Sequence, residues 1–215
     1  MRHVATDIAL GGAPVNSLVP GVEEPRSSPA DALADLRYIR RTMERATFTA
    51  VPGSALAAVG ALALVAAAVV RWVLSASPGS YPWLATWASA GFLSVLLVGL
   101  AFRRKARRHA VPGAARKLLL GMGAPLLAVL AITIACRRAG VPDLAAGVWL
   151  SGYGAGVLSA GAFSTRSIPA LGAGCMALGV AAFLTPASWA DAWLATGFGL
   201  FHVIVGFRVA RRHGG

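Results

Sequence analysis

Apolar stretches recur six times along this chain, and the intervals between them hold nearly all of its charge. Each runs for roughly 18–20 residues, which at about 1.5 Å per residue matches a hydrocarbon core of about 30 Å. The pattern predicts spans at 52–70, 83–102, 118–136, 144–163, 168–185 and 191–209. Only Ser164, Thr165, Arg166 and Ser167 separate the fourth from the fifth. Arg166 and Pro169 mark a break there, because proline suits the first turn of a new helix.

The residues before the first span follow other patterns. Residues 1–27 carry scattered Gly, Pro and charge with no period, the signature of a disordered tail. Ser28-Pro29-Ala30-Asp31 then reads as a helix start, with a capping serine, a proline at the first helical position and an acid behind it. Leu33, Leu36, Ile39 and Met43 recur at helical spacing, while Arg37, Arg41 and Arg45 lie four apart on another face. Residues 28–50 thus form an amphipathic helix (28–46) and linker, too charged to span. The expected fold is all-α: a polytopic bundle over 51–210, followed by a short tail, 211–215.

Charge supplies the orientation. With the N-terminus inside, only Arg71, Arg137 and Arg138 fall outside, and the other 17 of the 20 cations stay on the starting side. Membrane insertion selects this asymmetry, so both termini are expected in the cytoplasm. Trp72, Trp83, Trp87, Trp149, Trp189 and Trp193 all fall at the outer ends of their spans, where an indole keeps its ring apolar and its N–H wet.

Composition adds exclusions. The chain is 57% hydrophobic, against about 45–50% for soluble domains. Its net charge of +12 reflects loop cations, not a nucleic-acid footprint. The spans hold no Asp or Glu, since Asp143 and Asp191 sit at outer boundaries. No paired carboxylates, nucleophile–base arrangement, phosphate loop or metal-ligand cluster occurs, so no catalytic residue, metal or cofactor is expected. Cys136 and Cys175 differ in depth by more than about 10 Å at helical rise, beyond the roughly 7 Å reach of a disulfide.

Four groups of residues remain as candidates. His202 is the one ionisable side chain deep within a span; with Tyr153, Ser151 and Ser159 it defines a possible intramembrane polar site. The plainer reading is a neutral imidazole bonded to a neighbouring helix. Gly152, Gly156 and Ala160 in span four, with Gly199 and Gly206 beside His202 in span six, read as helix-packing seams. The sharper alternative for span four is an unwound segment lining a cavity. Gly121, Gly123 and Pro125 suggest a kink in span three. Lastly, Arg37, Arg41 and Arg45 with Arg103, Arg104, Lys105, Arg107 and Arg108 form a surface for anionic phospholipid headgroups or a protein partner, unless they only set topology.

Several stretches carry a resemblance. They are Asp35 to Ala46, Phe48 to Gly53, Gly147-Val148-Trp149-Leu150 with Tyr153-Gly154, Gly161-Ala162-Phe163-Ser164 and the ending from Ala210 to Gly215. Over about residues 30–215 the chain resembles a group of uncharacterised bacterial six-span membrane proteins, often encoded beside a small winged-helix regulator. The resemblance implies a regulatory or sensory context and carries over no site residue. The expected function is a non-catalytic membrane-embedded interaction or sensory protein, with a protein partner or homo-oligomer as company. The alternative is a small oligomeric transporter or channel with a polar cavity near His202 and Tyr153.

Overall fold

A computed structural model describes residues 33–38, 52–108, 114–161 and 166–213. Residues 33–38 are helical and exposed, with Arg37 among them. The rest of the expected tail and amphipathic helix, including Arg41 and Arg45, lies outside the described residues.

The regular structure in the described part of 45–215 is all helical. Helix α1, Gly53–Ala68, continues through a π-helical turn, Val69–Val73. Helix α2 is Tyr81–Arg108 and α3 is Ala114–Arg138. Helix α4 is Ala145–Gly161, entered through a 3₁₀ turn, Pro142–Leu144. Helix α5 is Ser167–Leu184. Helix α6 starts as Ala190–Leu194, passes through a π-helical segment, Ala195–Leu200, and ends as Phe201–His213. It therefore carries helix into the expected C-terminal tail.

Five of these helices are long and apolar enough to cross a membrane: Gly53–Val73, Tyr81–Arg104, Leu120–Arg138, Ser167–Leu184 and Ala187–Arg211. The fourth expected span, α4, has 17 residues, nine of them buried. It packs on α3 through one face and on α5 through another. Gly152 lies against Val129, Gly156 against Met122, and Ala160 against Gly121, so this glycine seam seats α3. Gly154 faces α5 so closely that a Cβ there would stand 2.5 Å from the Gly172 carbonyl oxygen. Such an approach is what offsets the roughly 1 kcal/mol that glycine costs a helix interior. Helix α4 is unbroken, which overturns the alternative of an unwound segment. Pro125 likewise stays inside one continuous α3.

Helices α1 and α6 repeat the device. A Cβ on Gly60 would meet the Gly199 carbonyl oxygen at 2.6 Å, and one on Gly206 would meet the Ala57 nitrogen at 2.5 Å. Partners spaced seven residues apart, Gly53 and Gly60 against Gly199 and Gly206, keep the contact on one stripe of each helix.

The interhelical turns 74–80, 139–144 and 185–189 gather at one end. Arg137 donates to the Gly79 carbonyl at 3.3 Å and lies 4.5 Å over the Tyr81 ring. The tryptophans of this end divide into two kinds. Trp72 is exposed, as an interfacial anchor should be, but Trp83 and Trp87 are buried in the core. For those two the expectation of a wet interface fails. Ala76 of the first turn packs against their cluster, and Ala63, Ala66, Ala145 and Ala146 leave room for their rings.

Candidate functional site

Two polar clusters lie inside the bundle. The first is built on α6, where the π-helical segment changes the backbone bonding. The Phe201 N–H bonds to the Thr196 carbonyl, one residue further back than an α-helix would place it. The Gly197 carbonyl thereby loses its α-helical donor. Two side chains take its place: His202 Nδ1 at 3.0 Å and the Cys175 thiol of α5 at 3.7 Å. A carbonyl only accepts, so Nδ1 carries the proton. In a neutral imidazole Nε2 is then the acceptor, and the Tyr153 hydroxyl of α4 donates to it at 2.6 Å.

The cluster is closed. His202 is 1% exposed and Cys175 fully buried. The Tyr153 ring meets Phe198 edge-on at 5.1 Å, and Leu56, Leu171, Val205 and Val209 pack around the thiol. Every polar atom of the imidazole has a partner, the usual state of a buried histidine.

Sequence reasoning brought Tyr153 and His202 into one site, and the structure joins them directly. It separates them from the two serines. Ser159 is exposed. Ser151 turns its hydroxyl toward Gly179 of α5, where the oxygen is buried without a hydrogen-bond partner. Ser151 also lines a groove of about 510 Å³ between α3 and α4, with Pro125, Val129, Gly152 and Phe183. At about 100° per residue this groove faces away from Tyr153. Cys175 and the Gly197 carbonyl were missed as site members. A lone cysteine carries no signal in sequence, and a carbonyl is released only by the π-helical turn.

The second cluster lies at the tryptophan end. Trp83 Nε1 donates to Asp191 Oδ1 at 2.6 Å. The Trp83 ring stacks on Trp149 at 5.5 Å and is tilted against Trp87 at 6.3 Å. Trp149 in turn donates to Thr133, and Trp193 to Thr185, at 2.9 and 2.8 Å. Each threonine hydroxyl in turn donates a hydrogen bond to the carbonyl four residues back in its helix. The apolar patterns placed Trp83 and Asp191 at the same depth, which was the available signal for this pair, but not their contact.

The cationic surface is only partly described. Arg103 and Arg104 are exposed on α2. Lys105, Arg107 and Arg108 belong to the same helix, and their side chains lie outside the described residues. Cys136 and Cys175 are both free thiols. Among the described residues no group of three or more His, Cys, Asp or Glu is placed to hold a metal ion. No protein-family model, no curated protein and no solved structure matches this chain.

Proposed function

We propose that this chain is a six-span protein of a bacterial inner membrane, acting as a non-catalytic interaction or sensory element. The sixth span is α4, whose 17 residues sit at the lower end of the range that crosses a bilayer. An even number of crossings leaves both termini on the side of the cationic intervals, the cytoplasm. Arg103, Arg104, Arg208 and Arg211 are each exposed, toward the helix ends opposite the tryptophans. There they meet anionic headgroups or a partner's acidic surface.

One observation carries the reading against a transporter. The ionisable side chain within the spans, His202, is 1% exposed and fully hydrogen-bonded. A substrate path at mid-membrane needs a hydrated polar cavity there, and the Tyr153–His202 pair fills that position with packed rings.

Reconstitution into sealed liposomes tests this. The wild type is expected to add no ion or solute flux above empty vesicles. A flux that His202→Ala abolishes would establish the transporter instead. Topology is tested separately with single cysteines at positions 77 and 105, introduced after Cys136 and Cys175 are replaced. Impermeant maleimide is expected to label position 77 from outside and position 105 only after lysis.

A further inference from the structure

We infer that the π-helical segment of α6 is a register switch coupling the Trp83–Asp191 contact at one end of the bundle to the Tyr153–His202 pair in its middle. The inference goes beyond the proposed function, since it concerns the protein alone and requires no partner.

The core is divided at this segment. N-terminal to it, Ala190 and Leu194 of α6 pack with Trp83, Trp87, Ala145 and Leu150. C-terminal to it, Val205 and Val209 pack with Leu56, Leu171 and Cys175. On an unbroken α-helix, Leu194 and Val205 would lie within about 20° of one face. The extra residue held in the π-helical turn sets the two halves about 100° and 1.5 Å away from that register. Each half is fixed by its own side-chain contact: Asp191 by Trp83 on one side, His202 by Tyr153 on the other.

The α-helical alternative is defined by bonds already on the page. Phe201 N–H would return to the Gly197 carbonyl and displace His202 Nδ1 and the Cys175 thiol. The two halves of α6 would then turn against each other, drawing Asp191 off Trp83 and His202 off Tyr153 together. The two contacts therefore hold the same backbone state, and loosening either weakens the other. Coupling of this kind is reciprocal. Packed interfaces of this density shift between discrete arrangements and do not deform continuously.

The Trp83 indole N–H resonance, assigned by its loss in Trp83→Phe, reports one end in detergent-solubilised full-length protein. The His202 imidazole nitrogens, assigned by their loss in His202→Ala, report the other. Tyr153→Phe is expected to shift or split the Trp83 resonance, and Asp191→Ala to alter the His202 nitrogens. Deleting Thr196 removes the extra residue, making α6 α-helical while keeping both halves in their present orientation. In that protein Tyr153→Phe should no longer reach Trp83. If Tyr153→Phe leaves the Trp83 resonance unchanged in the full-length protein, or if the response survives the deletion, the switch is refuted. Should the deletion variant fail to fold, the two reciprocal substitutions decide the matter alone.

Discussion

Helices α4 and α5 meet backbone to backbone, whereas α2 beyond Ala90 is largely exposed. The contrast separates two uses of glycine in the same protein. Gly154 and Gly172 each sit within a Cβ's reach of the other's carbonyl oxygen. Gly91 and Gly99 of α2 have nothing within 4 Å of where a Cβ would be. Trp83, Trp87 and Ala90 bury the first part of α2, while Phe92, Leu93, Val95, Leu96 and Leu100 beyond them are exposed. Lipid is as apolar as leucine, so an apolar face by itself does not hold helices together in a bilayer. Close approach does, and among the described residues it brings backbone to backbone between α1 and α6, between α4 and α5, and along the seam of α4 on α3.

The sharpest way to break the contrast is Gly154→Leu. The side chain would meet the Gly172 carbonyl and the Met176 backbone nitrogen, which cannot swing aside as a side-chain end can. The helices must part, at an expected cost of about 3 kcal/mol or more. Thermal unfolding in detergent should show a folded fraction far below wild type at 25 °C. An unchanged midpoint would mean that α4 and α5 do not touch here.

Trp83→Phe comes next. It removes the donor to Asp191 and narrows the stack on Trp149, while the smaller ring still fills most of the site. Loss of a bond to a charged acceptor is worth about 1.5–3 kcal/mol. Tyr153→Phe follows, at about 1–2 kcal/mol, since it keeps the ring against Phe198 and orphans only His202 Nε2. The same unfolding measurement ranks the two. If Tyr153→Phe cost more than Trp83→Phe, the mid-membrane pair would outrank the tryptophan end as a source of stability.

Much of the architecture was legible because lipid imposes a coarse rule on sequence. Length and hydropathy pointed to an all-helical chain and to approximate helix limits, and Gly152, Gly156 and Ala160 to a packing seam for a neighbouring helix, which is α3. What escaped depends on register. Trp83 and Trp87 look like interfacial anchors in sequence because depth, the quantity hydropathy reads, is the same for a buried and a lipid-facing indole. Tyr153 and His202 were legible as polar residues in apolar spans. Their partner Cys175 was not, because its acceptor exists only where α6 departs from α-helical bonding. Helix α4 was legible as apolar but not as central, since its glycines could equally have marked an unwound cavity wall.

The smallest effect tests the other half of the contrast and has the opposite sign. At Gly99 the added methyl of Gly99→Ala enters open space, so no neighbour must move. What changes is the helix itself, because glycine loses more backbone freedom on folding than alanine does. The expected result is a gain of about 0.5–1 kcal/mol, read as a slightly higher unfolding midpoint, against the large loss at Gly154. A loss at Gly99 would show that this face of α2 is closely packed in the folded protein, and that glycine there serves approach as it does between α4 and α5.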